Sequence, residues 1–130
     1  MSSVVKETGA MISGMAPVLD PVIYHFCTGP EGLIKDAIAS FREVEGLSLI
    51  LADDVAKAHG LQSDLPMQRI TLTVHSALDG VGLTAAVATA LAQSDIACNM
   101  VAGVQHDHAF VPAQDALRAM GVLRALAKST

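Results

Sequence analysis

Between residues 69 and 75 apolar and polar side chains alternate. Ile70, Leu72 and Val74 fall on one side, and Thr71, Thr73 and His75 on the other. A period of two predicts a half-buried strand. Over residues 83–93 the spacing changes. Leu83, Val87 and Leu91 recur four apart, with Ala86 and Ala90 beside them, which predicts a helix packed closely on a sheet. The intervening residues 76–82, with Gly80 and Gly82, form a loop. Residues 96–104 read as a second strand, Gln105 and His106 as a turn, and residues 107–111 as a third strand. Pro112 opens a last helix whose buried face is Ala116, Met120, Leu123 and Ala127. Strand, helix, strand, strand, helix is one strand short of a βαββαβ unit. The first half can supply that strand or pair alongside.

The first half follows a looser version of this plan. Residues 1–6 read as a loose terminus. Ile12, Met15 and Leu19 lie on one helical face, and Pro17 stops that helix near Met15. Residues 22–28 are rich in β-favouring side chains and predict a strand. The turn Gly29, Pro30, Glu31, Gly32 precedes a short helical segment at 33–37. Residues 39–45 and 47–52 form a hairpin about Gly46. Asp53 and Asp54 then start a short helix that ends before Gly60, with acidic residues and Lys57 placed to suit the helix dipole. The polar stretch 62–66 marks a boundary, giving units 1–66 and 67–130. Each half has a strand, a glycine-bearing acidic turn and a leucine opening a helix, as in a divergent repeat.

Composition narrows the function. Of 130 residues, 52% are hydrophobic and 16% charged, which excludes intrinsic disorder. It also implies an apolar surface that a partner covers. Eight Lys and Arg against 13 Asp and Glu give a net charge of −5, with no basic cluster. Nucleic acid and anionic membrane surfaces are therefore disfavoured as partners. With no Trp and a single Tyr, stacking platforms for bases are few. The longest uncharged run, residues 80–94, is too short to span a bilayer. No basic region followed by an apolar run opens the chain, so no secretory signal is predicted. Cys27 and Cys98 make no disulfide framework and read as reduced, buried thiols of a cytoplasmic protein.

Longer stretches carry a resemblance. Residues 69–76 (RITLTVHS), 81–86 (VGLTAA), Cys98 with Asn99, 101–103 (VAG) and His106, Asp107, His108 resemble a family of small free-standing bacterial ACT-domain proteins. In the first half residues 15–21 (MAPVLDP), 26–28 (FCT) and 40–46 (SFREVEG) fit the same family, so the likeness covers about residues 10–127. It implies an α+β fold of two tandem ferredoxin-like βαββαβ (ACT-like) modules, with antiparallel sheets covered by helices and packed through those sheets. It also implies an amino-acid ligand, bound near the loop joining the first strand to the first helix, at an interface between modules. Relatives are expected to carry aromatic residues before His106, where Val104 and Gln105 stand here.

Candidate chemistry centres on the loop Ala77, Leu78, Asp79, Gly80, Val81, Gly82. It feeds a helix N-terminus, whose free N–H groups attract a carboxylate, and its glycines let a ligand approach the backbone. Asp79 can pair with an α-ammonium group. Equally, Asp79 can cap the helix while the glycines only make the bend. Asn99 is an amide in an apolar strand and needs a partner, either a ligand or a nearby loop. In the series 106–108, His106 and His108 share a strand face with Phe110 while Asp107 points away. Two histidines are too few for a zinc site unless His75 or His25 joins them. No phosphate loop, nucleophile elbow or HExxH motif occurs, and no cofactor is implied. The expectation is a non-enzymatic amino-acid sensor, a homodimer, that binds no metal. The alternatives are a ligand-free protein-interaction module and a metal-dependent enzyme built on His106 and His108.

Overall fold

The structure is a computed structural model and describes residues 4, 7–75 and 77–130. The loose terminus read over residues 1–6 therefore lies outside the described residues, Val4 excepted, as does Ser76 of the loop. A short helix α1 (Thr8–Ser13) begins where the Glu7 carboxylate accepts the N–H groups of Gly9 and Ala10. It leads into β1 (Pro17–Thr28), a 3₁₀ turn (Glu31–Asp36) and the hairpin β2 (Ala39–Glu43) and β3 (Gly46–Ala52). Then come α2 (Asp53–Ala58), β4 (Met67–Leu72), α3 (Leu83–Gln93), β5 (Asn99–Ala102), β6 (Asp107–Pro112) and α4 (Ala116–Lys128). The helix predicted over 83–93 forms with those bounds. The strand read from 69 to 75 starts two residues earlier and stops at Leu72.

The six strands make one antiparallel sheet in the order β2-β3-β1-β4-β6-β5. Two ferredoxin-like modules are joined edge to edge in it, so the expected packing of one module's sheet on the other's gives way to a continuous sheet. The chain from β1 to β4 is a complete βαββαβ unit, the 3₁₀ turn standing for its first helix. The chain from β4 to α4 lacks a last strand and takes it from β1. Strands β1 and β4 thus each serve both modules. A break in β1 makes this possible. The register with β4 shifts between Leu19 and Ile23. Pro21 has no N–H to offer the ladder there. The Asp20 carboxylate accepts the Val22 N–H at 2.9 Å in place of a strand partner.

All four helices and the 3₁₀ turn lie on one face of the sheet. Under α1, α3 and α4 the sheet contributes Ile70, Leu72, Ala109 and Val111 to a core with Met11, Met15, Val87, Leu91 and Leu123. Under α2 and the 3₁₀ turn, Leu47, Leu49 and Leu51 meet Leu33 and Ala56. The opposite face carries no helix, yet Tyr24, Ile50, Met67 and Phe110 are buried there. The sheet curls, so β2 and β5, at its two edges, come to line one trough; Ala39 and Phe41 meet the same cavity as Val101. Phe110 packs against Phe26 of this lining, edge-on to Tyr24 at 5.9 Å and Phe26 at 5.2 Å between ring centres.

Candidate functional site

The loop before α3 is held from outside by α1. The Thr8 hydroxyl donates to the Val81 carbonyl at 2.5 Å. The Gly80 N–H closes a turn on the Ala77 carbonyl at 2.9 Å. Gly82 is the N-cap of α3 with φ +111°, and a Cβ there would lie 2.6 Å from the Thr8 methyl. Both facts require glycine. A Cβ on Gly80 would press on the Met11 sulfur at 3.1 Å. The glycines thus serve the bend and the α1 contact, one of the two roles read from the sequence.

Behind the loop, however, a cavity of about 130 Å³ remains. It lies between Ala77, Leu78, Gly80 and Gly82 of the loop, Leu83 and Thr84 of α3, and Ala102, Gly103 and Asp107 of the β5–β6 hairpin. The hairpin closes through the Gly103 N–H donating to the His106 carbonyl at 2.9 Å. Ala102 and Asp107 are paired across it and face the helices. Burial pushes the Asp107 carboxyl above the ordinary carboxylate value, against the pull of His108 and His106.

Four of the loop residues predicted as ligand-binding therefore share one cavity. Asp79 and Val81 are exposed on the same loop, outside the cavity lining. Asn99 is exposed at the start of edge strand β5, opposite Phe110 and on the face away from this cavity. The buried amide expected there is not found. At the edge of a sheet, water rather than a protein group can satisfy the side chain. His106 lies in the turn, not on the strand, so it does not share a face with His108. Its Nδ1 is 3.5 Å from the Val74 carbonyl, and its ring centre is 6.5 Å from that of His75. Among the described residues no three His, Cys, Asp or Glu side chains gather as a metal site. Cys27 and Cys98 are free and only partly buried, and burial pushes both thiols up, away from the reactive thiolate. Leu83, Thr84, Ala102, Gly103 and Asp107 were not expected at the site. The one sequence signal was the alternation that turned Asp107 away from His108.

On the uncovered face the titratable groups form a second cluster. The Arg69 Nη2 donates to Asp20 Oδ2 at 2.9 Å, the Tyr24 hydroxyl donates to the same oxygen at 2.6 Å, and Arg69 lies 5.5 Å over the Tyr24 ring. His108 Nδ1 is 2.9 Å from the Thr71 hydroxyl. Burial, then the charges of Arg69 and His106, hold the His108 imidazole below its ordinary value.

A third cluster has the composition of a proton relay: Asp53, His25 and Ser63. His25 is 3% exposed, and its Nε2 lies 2.7 Å from Asp53 Oδ1. Its Nδ1 accepts the backbone N–H of Ser63 at 3.0 Å, nearer than the Ser63 hydroxyl at 3.3 Å. The single Nδ1 lone pair is taken by the amide, so His25 is not free to act as a base toward the hydroxyl. The cluster pins the connection after α2 to β1. His25→Ala is expected to cost about 1–3 kcal/mol of stability, because it strands the Ser63 amide. Chemical denaturation checks this; a variant as stable as the parent would refute the pinning role.

No helix among the described residues is long and apolar enough to cross a membrane. No curated protein matches the chain. A Vibrio cholerae protein of unknown function, described as a possible transport protein, is 44% identical with a TM-score of 0.79; the match covers 87% of this chain and 89% of that one. An Agrobacterium tumefaciens protein shares the fold at 16% identity and a TM-score of 0.60, covering 82% of each chain. The ligand-free regulatory subunit of Thermus thermophilus aspartate kinase shares it at 10% identity and a TM-score of 0.57, covering 85% of this chain and 95% of that one. Two ACT-domain family models match in tandem, one over residues 5–68 and the next over 68–125, meeting in β4, the strand both modules use. With the doubled βαββαβ topology, this places the chain in the ACT-domain family.

Proposed function

We propose that this protein is a non-enzymatic sensor of a small amino acid, bound at the N-terminus of α3, and that it works in the cytoplasm as a homodimer. ACT domains are regulatory modules, and membership of the family supports a regulatory, ligand-binding role. The observation that carries the finer reading is the 130 Å³ cavity, bordered by the start of α3 on one side and by Asp107 on the other. The first turn of a helix offers N–H groups and positive potential to a carboxylate. An aspartate carboxylate opposite can take an ammonium group, which would also draw its raised pKa back down. The two ends of a zwitterion are thereby matched, and the small volume favours a short side chain. We assign the site to the second of two units, residues 1–66 and 67–130. In the first, the matching turn carries Pro30 and Glu31 where the second has Gly80 and Val81, and Gly29 packs closely on Leu49.

A ligand present at about 100 times its dissociation constant would stabilise the fold by about 2.7 kcal/mol. The expected outcome of a thermal-shift series over the twenty amino acids is a selective rise with a small one. Asp107→Asn should abolish that rise and Asp79→Ala should weaken it. A second reading, an interaction module without ligand, is favoured by the packing of Gly80 and Gly82 against α1, which accounts for both glycines unaided. A flat response to every amino acid would decide for it.

A further inference from the structure

The uncovered face of the sheet holds both halves of a self-complementary contact. Its socket is a cavity of about 540 Å³ in the trough, whose lining includes Phe26, Ala39, Phe41, Ile50 and Val101 along with Ser48. Its knob is the outer side of the β2–β3 hairpin. Phe41 is 74% exposed and Val44 fully so, an unusual position for two large apolar side chains on one short hairpin. Along β2, Ala39, Phe41 and Glu43 face the same side as the trough, by strand alternation from their β3 partners. The same face carries a cation, Arg69, whose side chain is 29% exposed beside its partner Asp20.

We propose that this face is the dimer interface, with each copy placing Phe41 of its hairpin in the partner copy's trough and Glu43 toward the Arg69 end. The occupant is a second copy rather than an unrelated protein, because knob and socket lie side by side on one surface. A two-fold axis between two such surfaces fills both sockets at once, as an isologous interface requires. Charge agrees with shape. The hairpin carries Glu43 and Glu45, while the same face offers the partly exposed Arg69 guanidinium. The inference deepens the dimer proposed above and is independent of the amino-acid site.

Sedimentation or light scattering across a concentration series tests it on the whole chain. The parent is expected to run as a dimer of the 13.5 kDa chain. Phe41→Glu and Val44→Glu are exposed changes that leave the fold intact by circular dichroism. Phe41→Glu should raise the dimer dissociation constant roughly 30-fold or more, as loss of a buried aromatic anchor does. Glu43→Lys should weaken the dimer about fivefold and reverse its salt dependence. Leu117→Glu, exposed on the helix side, should leave the dimer alone. A parent that stays monomeric overturns the dimer itself. A dimer that survives Phe41→Glu, or dissociates with Leu117→Glu, overturns this face alone.

Discussion

Truncating Phe110 to alanine is expected to lower the stability of the fold by about 3–5 kcal/mol. Phe110 is 2% exposed although it stands on the face that no helix covers. Its ring is met edge-on by both Tyr24 and Phe26, and the curl of the sheet closes over it. Alanine would leave a void among Tyr24, Ile50 and Met67, and the strands on either side cannot close it without breaking register. The loss comprises the buried area of the ring, two aromatic contacts and the unfilled space. At roughly 3–5 °C per kcal/mol for a domain of this size, the melting temperature should fall by about 10–20 °C. Phe110→Leu, which keeps most of the volume, should cost less than half as much. Equal stability of Phe110→Ala and the parent would mean that the trough is already open to water, and the curled-sheet account of this core would fail.

The second large effect concerns the cluster beside it. Asp20→Ala should cost about 2–4 kcal/mol, because it removes the acceptor of Tyr24, Arg69 and the Val22 amide together and leaves a half-buried guanidinium unpaired. The exposures of the two side chains, 29% for Arg69 and 17% for Asp20, place the pair between a surface ion pair and a fully buried one. The same group governs acid stability. Burial pushes the Asp20 carboxyl up, but hydrogen bonds from Tyr24, Val22 and Arg69, with the charge of Arg69, outweigh it and hold the group below the ordinary carboxylate value. A carboxylate lowered in the folded state stabilises the fold above its unfolded pKa near 4, and that contribution drains away as pH falls through the lower folded value.

His108 acts on the same side at higher pH. Its imidazole is held below the ordinary value, so the unfolded chain takes up a proton first, and stability begins to fall below about pH 6.5. Asp107, whose carboxyl is raised, works the other way and gains stability as pH falls toward 4. Acid unfolding should therefore show an upper limb that His108→Gln removes and a lower limb that Asp20→Asn removes. Denaturation midpoints measured from pH 7 to pH 3 resolve the two; one limb insensitive to both changes would contradict the assignment.

Much of this protein was legible in the order of its residues. The four-residue recurrence of Leu83, Val87 and Leu91 marked α3 because a helix buries one stripe, and each of the three is buried. The alternation of Ile70 and Leu72 with Thr71 marked β4. Gly46 and Gly60 marked turns because a positive φ suits a residue without Cβ, and both adopt one. Strands 22–28 and 96–104 were placed rightly but bounded wrongly. Pairing, not propensity, sets a strand's ends: β1 extends back to Pro17 because β4 offers partners there, and β5 starts at Asn99, where β6 does.

The candidate site was half legible. The loop was visible because glycines, an acidic residue and a helix start are neighbours in sequence. Its far wall was not, since Ala102, Gly103 and Asp107 reach the cavity only through a hairpin folded across the sheet. Local spacing marked most of the elements and the glycine-rich loop, because φ/ψ preference and side-chain period act over a few residues, while the doubled module was implied by the motifs shared with ACT-domain proteins. Tertiary structure alone decided that β1 and β4 serve both modules, that the sheet curls to bury Phe110 without a helix, and that Asp20 meets Arg69. Those outcomes depend on partners far apart in the chain, 49 residues for Asp20 and Arg69, and only packing of the whole chain brings them together.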